Sequence, residues 1–187
     1  MIKIDLPDNI QKITLEQCSE NDNGEPVTHL KNSIYCFDAL SQEEGNRYRC
    51  KRKLKSADGL YIDKEGNIYF FEFKNAPHNH IGYRDIHLKM HDSILTWQIY
   101  NNSALSFDKL MLKSSYFVIY NDSRFNGERE NKSKSFDKIK QSLKKLAKVE
   151  DETLLWGVDV FKNTFYKEVH TIDVEVFEKK YAPSIFI

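Results

Sequence analysis

Asp58, Glu72 and Lys74 stand in the segment Asp58-Gly-Leu-Tyr-Ile-Asp-Lys-Glu-Gly-Asn-Ile-Tyr-Phe-Phe-Glu-Phe-Lys74, and together they have the residue types to hold a hard cation and act on a phosphodiester. Mg²⁺ prefers oxygen ligands at roughly 2.0 to 2.1 Å and keeps several waters, so two carboxylates and a substrate phosphate would satisfy it. A lysine beside such a cation can orient the attacking water and stabilise charge on a pentacoordinate phosphorus. The cation would also favour the neutral amine, which makes assistance to deprotonation the other role. The residue types leave both roles open.

Bringing the three together is the work of a hairpin. Asp63-Lys64-Glu65-Gly66-Asn67 reads as its turn, with Gly66 free to take positive φ, between two runs rich in Ile, Tyr and Phe. If Ile62 faces Ile68, antiparallel partners sum to a constant and Asp58 falls opposite Glu72 or within one residue of it. Residues two apart on a strand share a face, so Lys74 joins Glu72 while Phe71 and Phe73 point the other way. Carboxylates paired across a sheet repel unless a cation lies between them. The strand Ile68 to Phe73 is apolar on both faces, which predicts that it is covered on both sides.

Asp58, a gap of thirteen residues, and then Glu72-Phe73-Lys74 resemble the signature of the PD-(D/E)XK nuclease superfamily, with Ala57 where the nominal proline precedes the aspartate. The resemblance covers roughly residues 33 to 120. It implies an α/β, restriction-endonuclease-like fold with an α-β-β-β-α-β core and a mixed sheet flanked by helices. It also implies metal ligation by Asp58, Glu72 and the carbonyl of Phe73, catalysis by Asp58, Glu72 and Lys74, and Mg²⁺, with Mn²⁺ as a substitute. A further acid on the first helix is common in the family, and Glu43 and Glu44 are the candidates.

The expected elements follow that order. Asn32 or Ser33 caps a helix bearing Ile34, Phe37 and Leu40 and ending at Gly45-Asn46, after which Tyr48, Cys50, Arg52 and Leu54 alternate as a first strand. The hairpin supplies two more strands. A helix from about Tyr83 to Tyr100 follows, with Ile86, Met90, Ile94, Trp97 and Ile99 as its stripe, and Ser115 to Tyr120 reads as a fourth strand. Glu16 to Pro26 reads as a polar loop. In residues 121–187, expected to pack on the core as an extension, Leu154, Trp156, Val158 and Val160 alternate as a strand and Phe165 to Ile172 as another. Asp173 then caps a short helix bearing Val174, Phe177 and Tyr181, stopped near Pro183.

Composition bounds the rest. A chain of 187 residues, 40% hydrophobic and 13% aromatic, is most simply one domain. No apolar run reaches a membrane span and the N-terminus lacks a signal-peptide core, so the expectation is a cytoplasmic protein with no membrane partner. Cys18, Cys36 and Cys50 suggest ordinary thiols in a reducing compartment.

The formal net charge is zero, yet Arg47, Arg49, Lys51, Arg52, Lys53 and Lys55 cluster just before Asp58, where a phosphate backbone would pass. A second basic stretch, Lys132 to Lys148, has Phe136, Ile139, Leu143 and Leu146 at helical spacing, so its lysines also read as a solvated helix face. Asp85, Lys89, Asp92 and Thr96 share a helix face, and Lys89 is the best of them for lining a nucleic-acid groove. His78, His80, His87 and His91 offer a competing Zn²⁺ reading, without the Glu of a His-Glu-x-x-His site. The expected function is metal-dependent hydrolysis of nucleic acid, DNA first, with a protein partner or homodimer also compatible. The alternatives are a catalytically inactive nuclease-fold protein, serving protein interaction in a defence or toxin-immunity setting, and a nucleic-acid binder without cleavage.

Overall fold

A computed structural model describes residues 10–48, 54–75, 81–101, 106–121 and 154–187. Its centre is a six-stranded mixed sheet in the order β1 (Lys12–Thr14), β2 (Ser33–Cys36), β3 (Gly59–Ile62), β4 (Ile68–Lys74), β5 (Ser114–Tyr120) and β6 (Glu168–Asp173). The first four strands pair antiparallel, and β5 and β6 join in parallel. Helix α1 (Leu15–Cys18) follows β1, α2 (Phe37–Arg47) follows β2, and α3 (Tyr83–Tyr100) with α4 (Phe107–Met111) makes the crossover from β4 to β5 that a parallel pair requires.

The β3–β4 turn is built as its residues dictate. Gly66 adopts φ 75°, and the Asp63 carboxylate accepts from Asn67 N at 2.8 Å and from the Tyr69 hydroxyl at 3.1 Å. Ile62 pairs with Ile68 and Gly59 with Phe71, so Asp58 stands opposite Glu72 one step beyond the end of β3. Strand β4 is covered on both faces. Ile68 and Phe70 join Leu60, Tyr116 and Val118 against Phe37 and Leu40 of α2 and Ile86, Met90, Ile94 and Trp97 of α3. Phe71 and Phe73 pack with Ile34, Phe117, Ile119, Leu15 and the C-terminal residues Phe177, Ala182 and Ile185 on the other face. Ile99, expected in the α3 stripe, is only half-buried.

Several expected elements differ. Ser33 to Cys36 is strand β2 rather than the first turn of a helix, and α2 begins at Phe37 and runs to Arg47. Ile34, Phe37 and Leu40 are all buried but not on one helix stripe, because Ile34 lies on the sheet face opposite the other two. The neighbour of β3 is therefore β2, which precedes α2, whereas the expected first strand was to follow it. Tyr48 caps the end of α2, Leu54 lies outside any strand, and Cys50 and Arg52 fall outside the described residues. Within the expected loop Glu16 to Pro26, residues 16–18 belong to α1, which has a capping box between Thr14 and Gln17.

The Leu154-to-Val160 alternation does not form a strand. Trp156 and Gly157 take φ 57° and 65°, two consecutive left-handed residues that end an extended run, and Val158–Phe161 follows as a 3-10 turn. Asp173 caps the C-terminal helical segment through Glu175 N as expected. Pro183 does not stop it, because a π turn over Phe177–Tyr181 precedes Pro183 and Ala182–Ile185 continues as a last helical turn. The wider spacing of the π turn accommodates a residue with no N–H to give. No helix among the described residues is long and apolar enough to cross a membrane.

Candidate functional site

Asp58, Glu72, Lys74 and Lys89 meet at the end of the sheet face that α3 covers. Glu72 comes from the C-terminal half of β4 and its side chain is 0% exposed, whereas Asp58 is 21% exposed. Lys89 Nζ lies 2.9 Å from Asp58 Oδ1 and 2.8 and 2.9 Å from the two Glu72 oxygens. Lys74 Nζ is 2.6 Å from Glu72 Oε1 and 3.8 Å from Asp85. The cation between the facing carboxylates is thus the Lys89 ammonium. Lys89 is only 17% exposed.

Asp58 is held from three sides. Its N–H donates to the Phe71 carbonyl at 2.9 Å, its carbonyl accepts from Phe37 N at 3.2 Å, and its Oδ2 accepts from Phe73 N at 2.7 Å. The stretch leading into it is pinned by α3, where buried Asp92 accepts from Lys55 N at 2.9 Å and the Ser93 hydroxyl accepts from Ala57 N at 2.8 Å. Asp92 and Thr96, placed by spacing on the α3 face with Lys89, are both buried rather than lining a groove. An added Cβ at Gly59 would overlap Ile34 Cδ1 and come to 2.9 Å from Cys18 Sγ, so both side chains would have to shift. Ser93→Ala removes the acceptor of a buried N–H, so thermal unfolding should show a loss of about 1 to 3 kcal/mol. A loss within a few tenths would mean that the Ser93 hydroxyl is not needed to hold the 55–57 stretch.

The backbone of β4 adds one more oxygen. Phe71 gives its carbonyl to Asp58 N on the β3 side and Lys74 gives its own to Asn121 N on the β5 side. Backbone groups alternate along a strand, so Phe73 directs its carbonyl toward β3, past the point where β3 begins. Asp58 also lines a cavity of about 340 Å³ with Gln17, Glu20, Asn21, Asp38 and Asn75. Asp38 is the acid that α2 contributes there, and its carboxylate accepts from the Ser56 hydroxyl. Glu43 is exposed, and Glu44 is buried 3.5 Å from Arg47.

Burial and charge act on the site together. Burial, reinforced by the negative charge of Asp58, pushes Glu72 up to about 7 against the pull of Lys74 and Lys89. Burial also raises Asp58, opposed chiefly by Lys89 and by the N–H of Phe73. For Lys89 burial works downward, but Glu72 and Asp58 outweigh it and hold its ammonium above the ordinary range.

Among the described residues no group of three or more His, Cys, Asp or Glu side chains is arranged to hold a metal ion. The oxygens on offer are the two carboxylates and the Phe73 carbonyl, a set that suits a hard cation keeping several waters. The fit rests on Lys89, since one nitrogen in contact with both carboxylates marks a point that both can reach. His87 lies 2.9 Å from the Trp156 carbonyl and His91 3.3 Å from Asp92, and His78 and His80 fall outside the described residues. Of the basic cluster, Arg47 pairs with Glu44 and Lys55 with Asp85 at 3.0 Å. Arg49, Lys51, Arg52, Lys53 and the Lys132 to Lys148 stretch lie outside the described residues. Ser93 was the support that sequence reasoning missed; Lys89 and Asp92 were placed by spacing on one α3 face, without their contacts to Asp58, Glu72 and Lys55 N. Comparison with protein-family models, with curated proteins and with solved structures returned no match for the chain.

Proposed function

We propose that this protein is a metal-dependent nuclease of the PD-(D/E)XK kind, with a restriction-endonuclease-like core, hydrolysing phosphodiesters of nucleic acid and DNA first. The observation that carries the reading is the convergence of Asp58 and Glu72 on a single cation position with Lys74 bound to the same Glu72. Asp58 and Glu72 hold Mg²⁺ or Mn²⁺, and the Phe73 carbonyl adds an oxygen. When bound, the cation supplies Lewis-acid polarisation of a phosphoryl oxygen. Lys74, paired with the same Glu72 at 2.6 Å, orients the attacking water and offsets charge on phosphorus. Glu43 and Glu44 are the candidates for a further acid on α2, and Asp38 is the α2 acid that lines a cavity with Asp58. The protein acts in the cytoplasm on this reading.

The inactive-scaffold alternative has one observation in its favour. Lys74 and Lys89 already balance the two carboxylates, so the cluster is charge-neutral as it stands. The experiment that separates them is titration of Mg²⁺ or Mn²⁺ into the purified protein with a panel of single- and double-stranded DNA and RNA. Metal-dependent cleavage selects the nuclease, and binding without cleavage at any metal concentration selects the alternatives.

The basic residues ahead of Asp58 carry a second expectation. Replacing Arg47, Arg49, Lys51 and Arg52 by Ala should weaken nucleic-acid binding and reduce the slope of log K against log salt by about one per lost phosphate contact. Metal binding should be untouched. A slope equal to that of wild type would make the cluster a bystander.

A further inference from the structure

Four formal charges meet at the site, two carboxylates and two ammoniums, and their sum is zero. A divalent cation added to that set would leave a surplus of two positive charges around Glu72, a fully buried carboxylate, which desolvation makes expensive. One ammonium has to leave or give up its proton. Lys74 approaches Glu72 Oε1 at 2.6 Å, from a side chain on the same strand. Lys89 reaches across from α3 and contacts Asp58 and both oxygens of Glu72, so it covers the point that both carboxylates would share with a metal.

We propose that Lys89 is the resident counter-cation of the acidic pair, seated in the metal-free protein where a divalent cation would bind, so that the cation must displace its ammonium. The inference rests on the metal-site reading of Asp58 and Glu72. It adds a competitor that sets how tightly the metal binds. Asp85 is the acceptor for the displaced group. It lies one turn earlier on α3, on the same side as Lys89, is 42% exposed, and already draws Lys55 to 3.0 Å and Lys74 to 3.8 Å. Lys89 is suited to the exchange, because a flexible four-carbon stem carries a compact charge that can change partners.

The test compares Mn²⁺ binding to wild type, Lys89→Met and Lys89→Arg without nucleic acid, by titration calorimetry and by metal-induced rise in melting temperature. The pH is 8, where Glu72 is mostly ionised. Lys89→Met should bind Mn²⁺ at least about tenfold more tightly than wild type. Lys89→Arg, whose fork holds carboxylates in two-point fashion, should bind it more weakly. If Lys89→Met fails to fold because its carboxylates are left unbalanced, refolding on addition of Mn²⁺ is the supporting result, and Lys89→Arg supplies the second arm. Binding by wild type and Lys89→Met with equal or reversed affinity overturns the counter-cation role and leaves the metal site standing. Loss of all Mn²⁺ binding in Lys89→Met/Glu72→Gln would show that the gained affinity belongs to this site, and retention of it would overturn the proposal. Absence of Mn²⁺ binding in all variants overturns the metal site itself and this inference with it.

Discussion

Lys74→Ala should lower nucleic-acid turnover by about a hundred- to a thousand-fold, the loss typical of one electrostatic stabiliser, while metal and substrate still bind. Asp58→Ala and Glu72→Ala should behave differently, losing metal-induced stabilisation and cleavage together. The contrast follows from position. Glu72 is fully buried and Asp58 is fixed through its own backbone and through Phe73 N, so neither has a neighbour that can take over its oxygens. Lys74 pairs with Glu72 from the same strand, and when it is removed Lys89 still holds both carboxylates. The kinetic signature is a fall in kcat with little change in KM for Lys74→Ala. A fall in metal affinity equal to that of Glu72→Ala would put Lys74 in a structural role. Wild type that shows neither cleavage nor metal-dependent stabilisation would leave the inactive-scaffold reading in place.

How much of this was legible in the chain depended on how local the determinants were. The hairpin was legible because Gly66, Asp63 and the paired Ile62 and Ile68 fix its register within a few residues, and period-2 placement then carries Asp58, Glu72 and Lys74 to one face. Helix α3 was legible from its apolar stripe, and its bounds Tyr83–Tyr100 match the sequence reading. Ile34 shows where periodicity misleads. Its spacing to Phe37 and Leu40 is that of a helix stripe, but a strand that runs into a helix produces the same spacing when both are buried on different faces of one sheet. Leu154, Trp156, Val158 and Val160 fall on alternate positions, but the left-handed pair Trp156 and Gly157 cancels the strand, and Gly157 was the residue type that allowed it. The contacts of Lys89, a residue named from its helix face, and Ser93 itself were illegible for another reason. Their roles depend on contacts spanning 31 and 36 positions, to Asp58 and Ala57, and nothing in the spacing along α3 announces them.

The buried carboxylate also sets how stability should vary with pH, in a direction opposite to ordinary acid denaturation. Glu72 is raised from 4.5 to about 7 in the folded protein, by burial first and by Asp58 next. Between those two values the folded state binds more protons than the unfolded one. Stability therefore falls as pH rises through the window. Its contribution is fully present below about 4.5 and is lost by the time the pH has passed about 7. Asp58, also raised by burial, adds in the same sense from lower pH. Asp63, where hydrogen bonds from Asn67 and Tyr69 outweigh burial, is lowered and works in the opposite sense, but only at pH below the ordinary aspartate range. Denaturant unfolding from pH 4.5 to 7.5 should thus show wild type losing up to about 3 kcal/mol relative to Glu72→Gln, whose amide does not titrate. The variant keeps the shape of the side chain, so a parallel pair of curves would mean that Glu72 ionises at its ordinary value, with Lys74 and Lys89 cancelling the cost of burial in full. A wild-type curve that falls where the Glu72→Gln curve is flat would establish Glu72 as a carboxylate poised near neutral pH between the two lysines.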